Sequence, residues 1–129
     1  MNTENPQSCA GMNNRMQAPE DGVLLRVFLG EDDKHGHLPL YEAIVLKARE
    51  MHLAGATVIR GPLGFGYSSL IHTAKVLRLS QDLPLVIEII DRPDKIDAFL
   101  PVLGGMMAGG LVTLEAVKIL RYGKLSTLK

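Results

Sequence analysis

Hydrophobic and polar positions switch between two periods along this chain. Residues 23–29 (VLLRVFL) form a short apolar run with β-branched and aromatic members, which predicts a strand with most of its surface covered. Gly30 ends it, and EDDKHGH follows as a polar loop. Pro39 sits where a first helical turn would begin, a favoured place for proline. Leu40, Ala43, Ile44, Lys47, Ala48 and Met51 follow at helical spacing, with the lysine stem lying along the stripe. Gly55 is the expected stop. Residues 56–60 (ATVIR) predict a second strand, and residues 61–66 (GPLGFG) a glycine-rich turn. Residues 67–83 make a long connection in which Ser68 could cap a short helix carrying Ile71, Ala74 and Leu77. Residues 85–90 (LVIEII) predict the third strand. Pro93 opens a second helix with Ile96, Phe99, Leu100, Leu103 and Met107 on one stripe, which Pro101 should kink or shorten. Gly109 and Gly110 break that helix, and residues 111–120 (LVTLEAVKIL) predict the fourth strand.

The order β-α-β-β-α-β predicts an α+β, ferredoxin-like split β-α-β domain, with two helices on one face of a four-stranded antiparallel sheet. Side chains alternate along a strand. The uniformly apolar sets, Val23, Leu25, Val27 and Leu29 with Leu85, Ile87 and Ile89, should meet the helices. The opposite sets are Leu24, Arg26 and Phe28 with Val86, Glu88 and Ile90. Strands one and three are neighbours in this topology, so Arg26 and Glu88 are placed to pair. That second face is still largely apolar, and exposed apolar patches mark interfaces. Packing against other copies is expected; the alternative is a loop or the N-terminal tail folded over it.

At 129 residues the chain suggests one domain, with a core that can form but is not generous, so a partner subunit could add stability. Residues 1–22 lack any period and are expected to be a disordered tail; residues 23–123 form the domain and 124–129 a C-terminal tail. Basic and acidic side chains balance at 14 each, and no Lys/Arg concentration suits nucleic acid. The N-terminus has no secretory apolar segment. The longest uncharged stretch, residues 98–114, is too short and too broken by Pro101 and glycines for a membrane span. The single cysteine, Cys9, makes neither an internal disulfide nor a zinc site, which fits a cytoplasmic protein.

Motifs for chemistry are sparse. The stretch GPLGFGYSS has glycines that could let backbone N–H groups converge on an anion, but it is neither a Walker A loop nor a dinucleotide fingerprint. Gly66-Tyr67-Ser68-Ser69-Leu70 half resembles a nucleophile elbow without its second glycine. His35 and His37, beside Glu31, Asp32 and Asp33, could ligate a metal from an extended loop; a solvated turn is the expectation. No acid–base or nucleophile constellation appears, so no catalytic or metal residue is assigned and an enzyme is not expected. The 67–83 connection joins two strands that a short hairpin could join, and loops of that length are often functional. Ser68, Ser69, His72, Lys75 and Arg78 are its candidate partner-contacting residues.

Gly55-Ala56-Thr57-Val58 followed by Gly64-Phe65-Gly66 resembles the stretch leading into the long regulatory loop of the PII family of trimeric signalling proteins. Gly109-Gly110-Leu111 and Val117-Lys118-Ile119 resemble the PII turn and last strand. The match is closer to a PII-like family, domain of unknown function 190. It is carried by PLYEAIVLKARE (39–50), LAGATVIRG (53–61), GFGYSSLIHTAKVLRLSQDLPLVIEIID (64–91) and GGLVTLEAVKILRY (109–122). The resemblance implies a homotrimer with ligand clefts between subunits and a long loop that docks on a transporter or an enzyme. Carried over by position, the cleft would use Arg60, Gly61, Gly64, Phe65, Gly66 and Tyr67 from one subunit, with Gly109, Gly110 and Leu111 from the turn before the last strand.

PII has a lysine where Leu111 stands, and its last-strand arginines are only loosely represented by Lys118 and Arg121. Strong triphosphate binding is therefore not expected; of the candidate effectors AMP, ADP, ATP and a cyclic dinucleotide, a less charged one such as AMP or a cyclic dinucleotide suits fewer cations better. The expectation is a PII-like sensor that needs no cofactor, binds an adenine nucleotide and signals through residues 67–83. Two alternatives are a trimeric interaction module without a small ligand and, more remotely, a small hydrolase.

Overall fold

The computed structural model describes residues 18–62, 64 and 82–123. Strand β1 (Glu20–Gly30) leads into a miniature hairpin, β2 (Lys34–His35) and β3 (Leu38–Pro39). Helix α1 (Leu40–Glu50), β4 (Thr57–Arg60), β5 (Pro84–Asp91), helix α2 (Pro93–Met106) and β6 (Leu111–Ile119) follow. The four long strands form one antiparallel sheet in the order β4-β5-β1-β6, the ferredoxin-like arrangement.

The expected faces are the observed ones. Leu25, Val27, Leu85, Ile87 and Ile89 are buried with Ile44, Ala48, Ile96, Phe99 and Leu103 of the helices. Arg26 stands opposite Glu88 in the β1–β5 register, and its Nε donates to Glu88 Oε2 at 2.9 Å. Its Nη1 also reaches Glu115 Oε1 at 3.0 Å, from the strand on the other side. A single guanidinium thus spans three strands on the open face.

Several boundaries shift for local reasons. Strand β1 begins at Glu20, so residues 20–22, expected in the tail, belong to the sheet. Gly22 permits it: a Cβ there would lie 2.5 Å from Ile119 Cδ1, and glycine in a strand marks such close approaches. The polar loop after Gly30 contains the β2–β3 hairpin, turned through Gly36 at φ 64°. Pro39 is the N-cap of α1 rather than its first helical residue. Helix α1 stops before Gly55. The N–H groups of His52 and Leu53 return to the carbonyls of Arg49 and Ala48, both at 3.0 Å, with His52 at φ 62°. This is the Schellman pattern, with histidine where glycine is usual. Helix α2 continues through Pro101 to Met106, so the proline does not shorten it. It packs on β1 and β5, leaving both sides of β6 outside the helix layer. Val112 and Leu114 are consequently exposed although they share the helix-facing side. No helix among the described residues is long and apolar enough to cross a membrane.

Candidate functional site

Arg60, Pro84, Gly30 and Leu111 all lie at one end of the sheet, because β4 and β1 finish where β5 and β6 start. Arg60 closes the edge strand, and its Nη2 donates to Glu31 Oε2 at 2.7 Å. The Gly61 N–H extends the ladder by one bond, to the Pro84 carbonyl at 2.8 Å. A Cβ on Gly61 or Gly64 would lie 3.0 or 3.1 Å from Pro84 Cγ, so the glycine stretch rests closely on that ring. The neighbouring loop is tied down by the Glu31 N–H to the Leu83 carbonyl (2.8 Å), the Gly30 N–H to Asp33 Oδ2 (2.9 Å) and the Asp32 N–H to Asp82 Oδ1 (3.1 Å). Arg60 is therefore already partnered and set among carboxylates, which disfavours a heavily charged ligand there.

On the opposite edge, Gly110 has φ 102°, and a Cβ there would lie 3.1 Å from the Phe28 carbonyl oxygen and 2.8 Å from Met107 Cε. Both constraints select glycine. Gly109 faces open space, and Leu111, paired with Phe28, is 57% exposed. Three strand spacings separate the two edges, about 14 Å. One chain places Arg60, Gly61 and Gly64 at one edge and Gly109, Gly110 and Leu111 at the other, without bringing them together.

Phe65, Gly66, Tyr67, Ser68, Ser69, His72, Lys75 and Arg78, with the Ser68-capped helix, lie outside the described residues. So do Cys9 and residues 124–129. His35 and His37 are exposed in the β2–β3 hairpin, and no metal-ligating cluster occurs among the described residues.

Sequence patterning did not mark a polar node at the other end of the sheet. Asp91, fully buried, ends β5 and accepts three hydrogen bonds. Its Oδ2 takes the Ala54 N–H at 2.8 Å, and its Oδ1 takes the Arg92 N–H and the Tyr122 hydroxyl, each at 2.7 Å. The Arg92 guanidinium lies 4.5 Å from the centre of the Tyr122 ring. The bond to Asp91, reinforced by burial, raises the Tyr122 phenol above its ordinary value. The available signal was an acid closing an apolar strand directly before Arg92-Pro93.

Known proteins resemble this chain in sequence and in fold. A family model described as "Uncharacterized ACR, COG1993" (DUF190) matches residues 22–119. A UPF0166 protein of Aquifex aeolicus (strain VF5) is 40% identical over 97 residues, 75% of this chain and 91% of that protein. Among solved structures, CPII from Thiomonas intermedia K12, bound to ADP and bicarbonate, aligns with a TM-score of 0.53 at 16% identity, covering 81% of this chain and 93% of that one. A Thermus thermophilus protein described as PII-like aligns with a TM-score of 0.51 at 11% identity, over 84% and 93% of the two chains. These structural likenesses show the PII-like fold.

Proposed function

The chain belongs to the DUF190 family, and from that membership and its PII-like fold we propose that it is a regulatory protein, a homotrimer that binds an adenine nucleotide between subunits. The observation that carries this is the split site: Arg60 and Leu111 share one end of the sheet but sit on opposite edges. A second copy laid against the open face brings one edge's residues to the other's. That face offers Ile59 and Leu111, 47% and 57% exposed, at the two ends of one row completed by Val86 and Phe28, an apolar strip suited to such packing.

The ADP in the CPII structure supports the ligand class. The Arg60–Glu31 pair favours a lightly charged member of it, AMP or a cyclic dinucleotide, over ATP. Binding would shift the ensemble of residues 67–83 and so change the affinity of a transporter or enzyme partner. The occupied Arg60 also favours a second reading, a trimeric interaction module with no small ligand. Light scattering and calorimetry with AMP, ADP, ATP and a cyclic dinucleotide separate the readings. The sensor binds at least one of them as a particle of three chains. A monomer at micromolar concentration contradicts the assembly, and silence across the panel contradicts the sensor.

A further inference from the structure

A cavity of about 270 Å³ lies at the end of the sheet away from Arg60, lined by Val45, Ala48, Arg49, Leu53, Ala54, Gly55 and Ala56. Its volume lies just below the roughly 300–1,000 Å³ of drug-sized sites, so it suits only a small ligand. Its walls are fixed from three directions. The Schellman turn holds Leu53 over Ala48 through the bond between their backbones. Lys95 Nζ donates to the His52 carbonyl at 3.0 Å, and buried Asp91 holds the Ala54 N–H at 2.8 Å.

The cavity's chemistry is one-sided. Val45, Ala48, Leu53 and Ala56 supply apolar walls. The carbonyls of Lys47, Ala48 and Arg49 already accept bonds from Met51, Leu53 and His52, so the helix end offers a cation little. Arg49 lines the cavity, is exposed, and has no acidic partner among the described residues, whereas neighbouring Lys47 is paired with Glu50. We propose that this cavity binds a small aliphatic carboxylate, its chain against Val45, Ala48 and Leu53 and its head on the Arg49 guanidinium. The proposal does not depend on the proposed nucleotide cleft, whose residues sit at the opposite end of the sheet.

Gly55 allows a clean test. A Cβ there meets nothing within 4 Å, and its φ is outside the left-handed region, so Gly55→Leu adds a side chain to the cavity lining without straining the backbone. The probe is sodium hexanoate, titrated into the full-length protein while the amide resonances of Ala54, Gly55 and Ala56 are followed by NMR. 1-Hexanol is titrated as the uncharged match. Hexanoate is expected to give saturable shifts that Gly55→Leu abolishes. Arg49→Gln should weaken it about fivefold, the scale of one exposed ion pair, and bring it level with hexanol. Unchanged thermal midpoints show that both variants fold. Shifts that never saturate, or that persist unchanged in folded Gly55→Leu, overturn the proposal. Equal affinity for hexanoate and hexanol in the unsubstituted protein overturns the role of Arg49 and with it the carboxylate class.

Discussion

Replacing Asp91 by alanine should be among the most damaging single substitutions in the sheet. The carboxylate has no solvent exposure and serves the Ala54 and Arg92 N–H groups and the Tyr122 hydroxyl at 2.7–2.8 Å. A hydrogen bond to a charged group contributes about 1.5–3 kcal/mol, and a buried donor left unpaired adds a desolvation cost. Arg92 and Tyr122 are incompletely buried, so water recovers part of two of the three bonds. The net loss for Asp91→Ala is then about 3–5 kcal/mol. Asp91→Asn keeps one accepting oxygen but turns an amide toward a donor, for an intermediate loss of about 1.5–3 kcal/mol. Urea unfolding followed by circular dichroism, at one fixed protein concentration, reads both values. With a slope of about 2 kcal/mol per M, the alanine variant's midpoint should fall by about 2 M. A fall under about 0.5 M would show that these bonds exchange freely with water and that the node is not structural.

Three further outcomes follow from the same geometry. The phenol of Tyr122 is raised above its ordinary 10.0 by Asp91, so its contribution is complete below about pH 10 and lost as pH rises through the folded-state value; the gap in urea midpoint between the unsubstituted protein and Tyr122→Phe should close over that window. His52→Gly should stabilise by about 1 kcal/mol, since glycine adopts the left-handed turn without the Cβ penalty; a thermal midpoint that falls would contradict the turn's conformation. Arg26→Ala leaves Glu88 and Glu115 unneutralised on the open face, a small loss if that face stays wet and a much larger one if a second copy buries it. Loss of assembly on dilution, by sedimentation, distinguishes the two.

The elements that follow from period and alternation are legible in the sequence. Leu25, Val27, Leu85, Ile87 and Ile89 sort to one face by position alone, and neighbouring strands in a split β-α-β predict the Arg26–Glu88 pair. What depends on a distant atom is not. Gly22 is small because Ile119 sits over it, which lengthens β1 beyond the apolar run. The turn that ends helix α1 uses His52, which adopts the left-handed conformation less readily than glycine; Gly55, the obvious stop, lies in the following loop. Glu31 reads as loop charge until the β4 end brings Arg60 within 2.7 Å. The candidate cleft residues follow from resemblance rather than pattern, and the topology shows that one chain holds the two groups on opposite edges.

That division gives the most direct test of the proposed clefts. Arg60→Ala and Leu111→Glu are each made, each shown to lose nucleotide binding by calorimetry, then unfolded together in equal amounts and refolded. If a site takes Arg60 from one chain and the Leu111 turn from its neighbour, random mixing rebuilds about one intact site in four, and titration recovers that fraction. If both residues serve a ligand within the same chain, no mixture contains an intact site; recovery of none would contradict the inter-subunit cleft.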